Sequence, residues 1–212
     1  MALQVIRKGA WVPDEVRARI RQWSPKTDLG RIVRECFGHL PAELAAELFE
    51  TISRSLVIES SLSLTKIHGR TGWTEAFGVV SRRVITTAGV GYLVDAWQNS
   101  VELENMKYHG LGTGTDAAAT GDTALQTELT TEYTGNVRAT GSTTEGSGAN
   151  IFRTVGTNTL DSGTPAVTEH GVFSASSSGT LWDRSVFSAV NLDGTAGDAL
   201  QTTYDMTASA GG

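Results

Sequence analysis

Residues 199–209, ALQTTYDMTAS, place Leu200, Thr202, Tyr204 and Met206 on one side of an alternating run, with Gln201, Thr203 and Asp205 on the other. Successive strand side chains point to opposite faces, so this period of two describes a strand with one buried and one solvated face. Working back from it, the runs TLWDRSVFSAVNL (180–192), AVTEHGVFSA (166–175), NIFRTVGTNT (150–159), NVRATGS (136–142) and MKYHGL (106–111) share its character. Gly, Ser and Asp turns divide them at roughly ten-residue spacing. Residues 108–212 hold 16 Gly, 21 Thr and 10 Ser but one proline, Pro165. Threonine suits a pleated, half-buried surface and glycine and serine punctuate turns, so this half is read as an antiparallel β-sandwich or jelly roll. DTALQTEL (122–129), with Asp122 as its N-cap, is read as a single helical turn within it.

The texture upstream is different. Residues 12–57 read as three helices. Pro13 opens the first, with Val16, Ile20 and Trp23 at helical spacing. Asp28 caps the second, with Leu29, Ile32, Val33 and Cys36 on one face, and the third carries a stripe of Leu44, Leu48, Ile52 and Leu56. Residues 60–87 turn β-like. TAGVGYLVDAWQNS (87–100) then predicts another helix, with Val90, Leu93, Val94 and Trp97 forming its apolar face. The fold class expected is therefore α+β: an N-terminal helical module over 1–60, a mixed strand–helix connector over 61–107, and the antiparallel sandwich or jelly-roll-like domain over 108–212.

Charge and composition narrow the function. The net charge of −6 divides unevenly, since residues 108–212 have only 3 Lys/Arg, no lysine, against 11 Asp/Glu. Nucleic-acid affinity rests largely on neutralised phosphates, so this acidic half is a poor binder of DNA or RNA. Basic residues of the first half alternate with acids, as on a solvated helix face. No apolar run approaches the roughly 20 residues that span a bilayer, and no leader is expected from the N-terminus. The single cysteine, Cys36, forms neither an intramolecular disulfide nor a zinc ribbon.

Four glycines mark YHGLGTGTDAAATGDTA (108–124), a segment with the look of a phosphate loop. A dinucleotide fingerprint needs a third glycine and a following helix whose N–H groups meet the pyrophosphate. Thr115 stands where that glycine belongs after Gly110 and Gly112, and Ala117 where it belongs after Gly112 and Gly114. No GKS or GKT follows, and the segment reads as a structural turn leading into the β domain. A metal or triad site would require His109 and His170 to converge with acids, yet Glu169 and His170 are neighbours on a strand and point to opposite faces. There is no HExxH or GxSxG pattern. No cofactor, metal or catalytic residue is assigned, and the chain is not read as an enzyme. A hydrolase would need two converging carboxylates, and a sugar-binding module would need exposed aromatics.

The run YHGLGTGTDAAATGDTALQTELTTEY (108–133), then RATGS (138–142), NIFRTVGTNTLDSGTPAVTEHGVFS (150–174) and GTLWDRSVFSAVNLDGTAGDALQTTYDMT (179–207) resembles a family of tailed-phage virion proteins. The resemblance covers about residues 82–210 and lies in the order of the motifs. It implies a non-enzymatic structural role, foremost a capsid decoration or cement protein on the outer head surface. A tail, baseplate or fibre-associated part is the nearest alternative, and a carbohydrate- or receptor-binding module another. The partners implied are the major capsid protein or neighbouring virion proteins and further copies of the chain, with a trimer favoured. Nucleic acid and membrane are not among them, and the location implied is the virion, assembled in the host cytoplasm. Within the motif strands, Glu169, His170, Asp183 and Arg184 are candidates for inter-strand or inter-subunit polar pairs, with ordinary solvent-facing residues the alternative. Gly110, Gly112 and Gly114 are expected to allow positive φ or close backbone approach, and Trp182 is the aromatic that a sugar platform would expose.

Overall fold

The structure, a computed structural model, describes residues 56–82 and 85–210. Ile58–Thr207 form one compact unit. The helices expected over 12–55 lie outside the described residues, as does almost all of the second unit (Met1–Val57 with Ala208–Gly212).

Among the described residues, nine strands make two sheets. They are β1 (Leu56–Ile67), β2 (Thr74–Ser81), β3 (Tyr108–Gly112), β4 (Ala139–Thr140), β5 (Ser142–Glu145), β6 (Ile151–Thr159), β7 (Ala166–Phe173), β8 (Leu181–Asn191) and β9 (Ala199–Ala210). Sheet A runs β2-β1-β9-β6-β5 and sheet B runs β4-β3-β7-β8. Every pairing with a described register is antiparallel. One buried cluster draws Leu62, Leu64 and Leu200 from sheet A and Leu111, Val167 and Val190 from sheet B. A second joins Tyr204 and Met206 to Val172 and Trp182. Apolar faces of two antiparallel sheets closing on each other make this a β-sandwich.

β9 follows its alternation, with Leu200, Thr202, Tyr204 and Met206 all buried. Residues 61–107, read as a connector, supply most of β1, all of β2 and the helix to this same unit. β1 begins at Leu56, inside the stretch assigned to the helical module, so Leu56 ends no helical stripe and stands half exposed. Leu62 and Leu64 are the period-two pair that commits β1 to the core.

The helix α1 (Thr87–Trp97) is capped by Thr86, whose hydroxyl accepts from Gly89 N and donates to Leu181 O, fastening the helix to β8. Its orientation differs from the expected one. Gly89 and Leu93 face the sandwich, while Val90, Val94 and Trp97 of the expected apolar face are exposed. Gly89 decides this, because a Cβ there would stand 2.6 Å from Trp182 O, and the backbone contact turns the larger side chains outward. DTALQTEL is not helical; residues 122–129 run as bends and irregular chain that end in an isolated β-bridge between Glu128 and Gly112.

The inner face of sheet A is unusually polar along β6, where Thr154, Gly156 and Asn158 are buried opposite Tyr204, Thr202 and Leu200. Gly156 makes room for the His109 ring, since a Cβ there would lie 2.5 Å from His109 Cδ2. Gly156→Ala should therefore lower stability by about 1–3 kcal/mol, as overpacking does. Gly121→Ala, with nothing within 4 Å of its Cβ, should stay within about 0.5 kcal/mol. Urea unfolding of the two variants checks the contrast.

Candidate functional site

The candidate residues sort by face of sheet B. On the outer face, Gly110 pairs with Gly171 and Gly112 with Glu169, leaving a nearly bare strip of backbone. Residues 113–129 lie across that strip as a strap. Leu129 N donates to Leu111 O and Thr113 N to Thr127 O, while Leu125 packs on Phe173 and Leu181.

The carboxylate of Glu169 ties the strap down. Its Oε1 accepts from Gly114 N at 3.0 Å and Thr127 N at 2.7 Å, and its Oε2 from Gln126 N at 3.0 Å. Arg184 Nε, from the neighbouring strand, donates to Oε2 at 2.9 Å, and Nη2 lies 2.8 Å from the same oxygen. Arg184 Nη1 reaches on to Asp122, whose carboxylate also accepts from Ala119 N. The Glu169 side chain is 0% exposed and that of Arg184 3%. Burial alone would pull the Arg184 guanidinium down, and its bonds to Glu169 and Asp122 outweigh this and raise it.

The glycines serve that carboxylate. A Cβ on Gly112 would stand 2.5 Å from Glu169 Oε1 and from Thr127 O, and one on Gly114 2.6 Å from the same Oε1. Gly110 faces Glu128 Oε1 and Phe173 in the same way. None of the three has positive φ, so close approach is their reason and not left-handed backbone. The segment is also no doorway, because β3 lies inside sheet B between β4 and β7.

A second clamp was not singled out from sequence. Arg138 makes a two-pronged pair with Glu128 at 2.6 and 2.9 Å, donates to Ser178 O at 2.5 Å and lies 3.4 Å above the Phe173 ring. The signal that could have found it is scarcity. The three arginines of residues 108–212 each hold a carboxylate: Arg138 with Glu128, Arg153 with Asp205, and Arg184 with Glu169 and Asp122.

On the inner face, His170 points away from Glu169 and meets His109, Nε2 to Nδ1 at 2.9 Å. The two histidines do converge, on each other, and His109 goes on to Thr154 and Thr202 rather than to acids. Burial holds His109 down to about 3, and burial with the neighbouring His109 holds His170 well below the usual imidazole value. Asp183 is also interior, accepting from Ser60 at 2.6 Å and Ser185 at 3.1 Å, with Tyr204 OH at 3.4 Å. It has no cation against it, and burial raises its carboxyl to about 7. Trp182 is buried and donates through Nε1 to Tyr204 OH at 2.8 Å, so it is no sugar platform.

Chemically this is a set of structural ties. Both faces of sheet B use their ionisable groups inward or under the strap. Among the described residues, no group of three or more His, Cys, Asp or Glu is placed to hold a metal ion, and no helix is long and apolar enough to cross a membrane. The chain matches no family model and no curated protein.

Removing the charge at Glu169 leaves a buried guanidinium with only the partly exposed Asp122 as its counter-charge. Glu169→Gln should lower stability by about 3–5 kcal/mol in urea unfolding; a loss under about 0.5 kcal/mol would mean the pair is effectively solvated. Asp183 gives a pH-dependent expectation. Its folded value, about 7, lies above the 3.8 of the free group, so its stabilising contribution is full below about pH 3.8 and is gone above about pH 7. The stability advantage of wild type over Asp183→Asn should fall by about 1.4 kcal/mol per pH unit between about pH 4.5 and 6.5. Paired urea titrations measure it, and a flat difference would contradict it.

Proposed function

We propose that this chain is a non-enzymatic structural protein of a tailed-phage virion, a decoration or cement protein on the outer surface of the head. The observation that carries the reading is the ordered motif set over residues 108–207, from GLGTGT through TEHG and DRSVFS to GDALQTTY. The structure adds a physical reason for such motifs to recur together. Their glycines, Glu169, Arg184 and Asp122 belong to one strap lock, and Asp198 of GDALQ binds Lys66, Gly69 N and Asp193 N at the sandwich edge. These residues build a rigid module and leave recognition to its surface.

Apolar surface is available for that purpose. Val90, Val94 and Trp97 lie exposed on α1, and Trp73, Phe77 and Val79 on the β1–β2 hairpin. Exposed apolar residues gathered along an element suit contacts with neighbouring proteins. Many modest contacts of this kind gain strength by avidity in an oligomer, and a trimer on a symmetry axis of the shell fits that logic. In this proposal the residues that precede β1 supply contacts to the major capsid protein, since β1 itself, from Leu56, belongs to the sandwich.

The same exposed aromatics favour a second reading, a carbohydrate- or receptor-binding module, with Trp73 and Trp97 (60% and 66% exposed) as stacking platforms in place of Trp182. Quantifying the protein in purified particles separates the possibilities. Hundreds of copies per particle are expected; a handful or a dozen would place it in the tail or at a vertex, and absence from particles would remove the virion reading. Deleting residues 1–55, which leaves β1 whole, should abolish co-sedimentation with capsids, and undiminished binding would overturn the anchoring role.

A further inference from the structure

Two imidazoles meet inside the sandwich with no acid bonded to either. His109 Nδ1 and His170 Nε2 are 2.9 Å apart, so one of them carries a proton and the other accepts it. His109 Nε2 faces the Thr154 hydroxyl at 3.1 Å, and the Thr202 hydroxyl lies near Nδ1 with Gly156 O as its other partner. His170 Nδ1 is buried and has no partner.

Two neutral arrangements make the N···N bond. If His109 Nδ1–H donates, His170 must hold its proton on Nδ1, which strands a buried N–H. If His170 Nε2–H donates, His109 holds its proton on Nε2 and gives it to Thr154, and only a bare lone pair remains at His170 Nδ1. Either arrangement leaves His170 Nδ1 unsatisfied, but folded proteins tolerate an unused acceptor better than an orphaned buried N–H. The second arrangement, with both rings as Nε2–H tautomers, is therefore lower in free energy.

A third proton can then go only to His170 Nδ1, where nothing accepts it. The neighbours offer no counter-charge. β6 supplies Thr154 and the Gly156 backbone, β9 Thr202 and Tyr204, and β8 Ser185 and Asp183. Of these only Tyr204 and Asp183 titrate, and their bonds go to each other, Trp182, Ser60 and Ser185 rather than to an imidazole.

We propose that the His109–His170 pair is an acid-operated lock between the two sheets: it holds them together while it carries two protons, and it releases them when acid forces in a third. Both histidines belong to sheet B, and His109 ties the pair to sheet A through Thr154 of β6 and Thr202 of β9, so charging the pair opens the interior that the two sheets share.

The sign follows from linkage. Both rings are held below the ordinary value of 6.5, so the stability of their neutral burial is full above that pH and is lost as pH falls. Each ring adds one proton taken up on unfolding, a tenfold rise in the unfolding constant per pH unit. Asp183, which keeps its proton in the folded state, opposes one of the two.

The test uses the full chain. His170→Gln keeps an amide donor toward His109 Nδ1 but cannot titrate. Between about pH 6 and 4.5, its unfolding constant should climb about tenfold less per pH unit than that of wild type; identical pH dependence would overturn the lock. Long-range ¹⁵N–¹H spectra of the wild-type rings give a second reading that needs no variant. Both rings should be Nε2–H tautomers that do not titrate before unfolding begins. A folded-state titration of either ring, or an Nδ1–H tautomer at His170, would overturn the proposal.

Discussion

The carboxylate of Glu169 is the constraint on which the outer half of the sandwich depends. A buried charge must be paired and hydrogen-bonded or it is costly, and here the requirement is met by three backbone N–H groups and one guanidinium. Those N–H groups belong to Gly114, Gln126 and Thr127, so meeting the charge folds the chain between them into a strap. The strap can approach closely only because Gly110, Gly112 and Gly114 carry no Cβ. The strap then buries Leu125, Phe173 and Leu181, which leaves β3 and β7 covered on both faces. One ionised group thus specifies a loop path, a glycine pattern and a small core together.

This explains why some of the architecture could be read from sequence and some could not. The period of two in ALQTTYDMTAS survives because β9 is central and its two faces meet different surroundings. The glycine stretch could be denied a phosphate role, since fingerprint spacing is a local property. Its place as an interior strand was hidden, because the partner that needs the glycines, Glu169, lies more than 50 residues further on. The helical face of α1 failed for a related reason. Val90, Leu93, Val94 and Trp97 have helical spacing, but the contact of Gly89 with Trp182 O chooses which side packs.

The site residues show the same division. Alternation alone placed Glu169 and His170 on opposite faces, and they do lie there, one beneath the strap and one between the sheets. Which face was buried could not be inferred, because both are. The interior polar set of His109, Thr154, Thr202, Ser60 and Asp183 joins five strands, and no local spacing announces it. The acidic and basic groups of the sheet B strands, His109, Glu169, His170, Asp183 and Arg184, are all spent on ties within the chain, so none of them is offered to a partner.

Hydrogen exchange at Gly114, Gln126 and Thr127 tests the role of Glu169 most directly. If its carboxylate fixes the strap, these three backbone amides should exchange only through global unfolding, with protection that falls in parallel with overall stability as urea is added. Exchange as rapid as in an open surface loop, at concentrations of urea where the sheets remain intact, would contradict it.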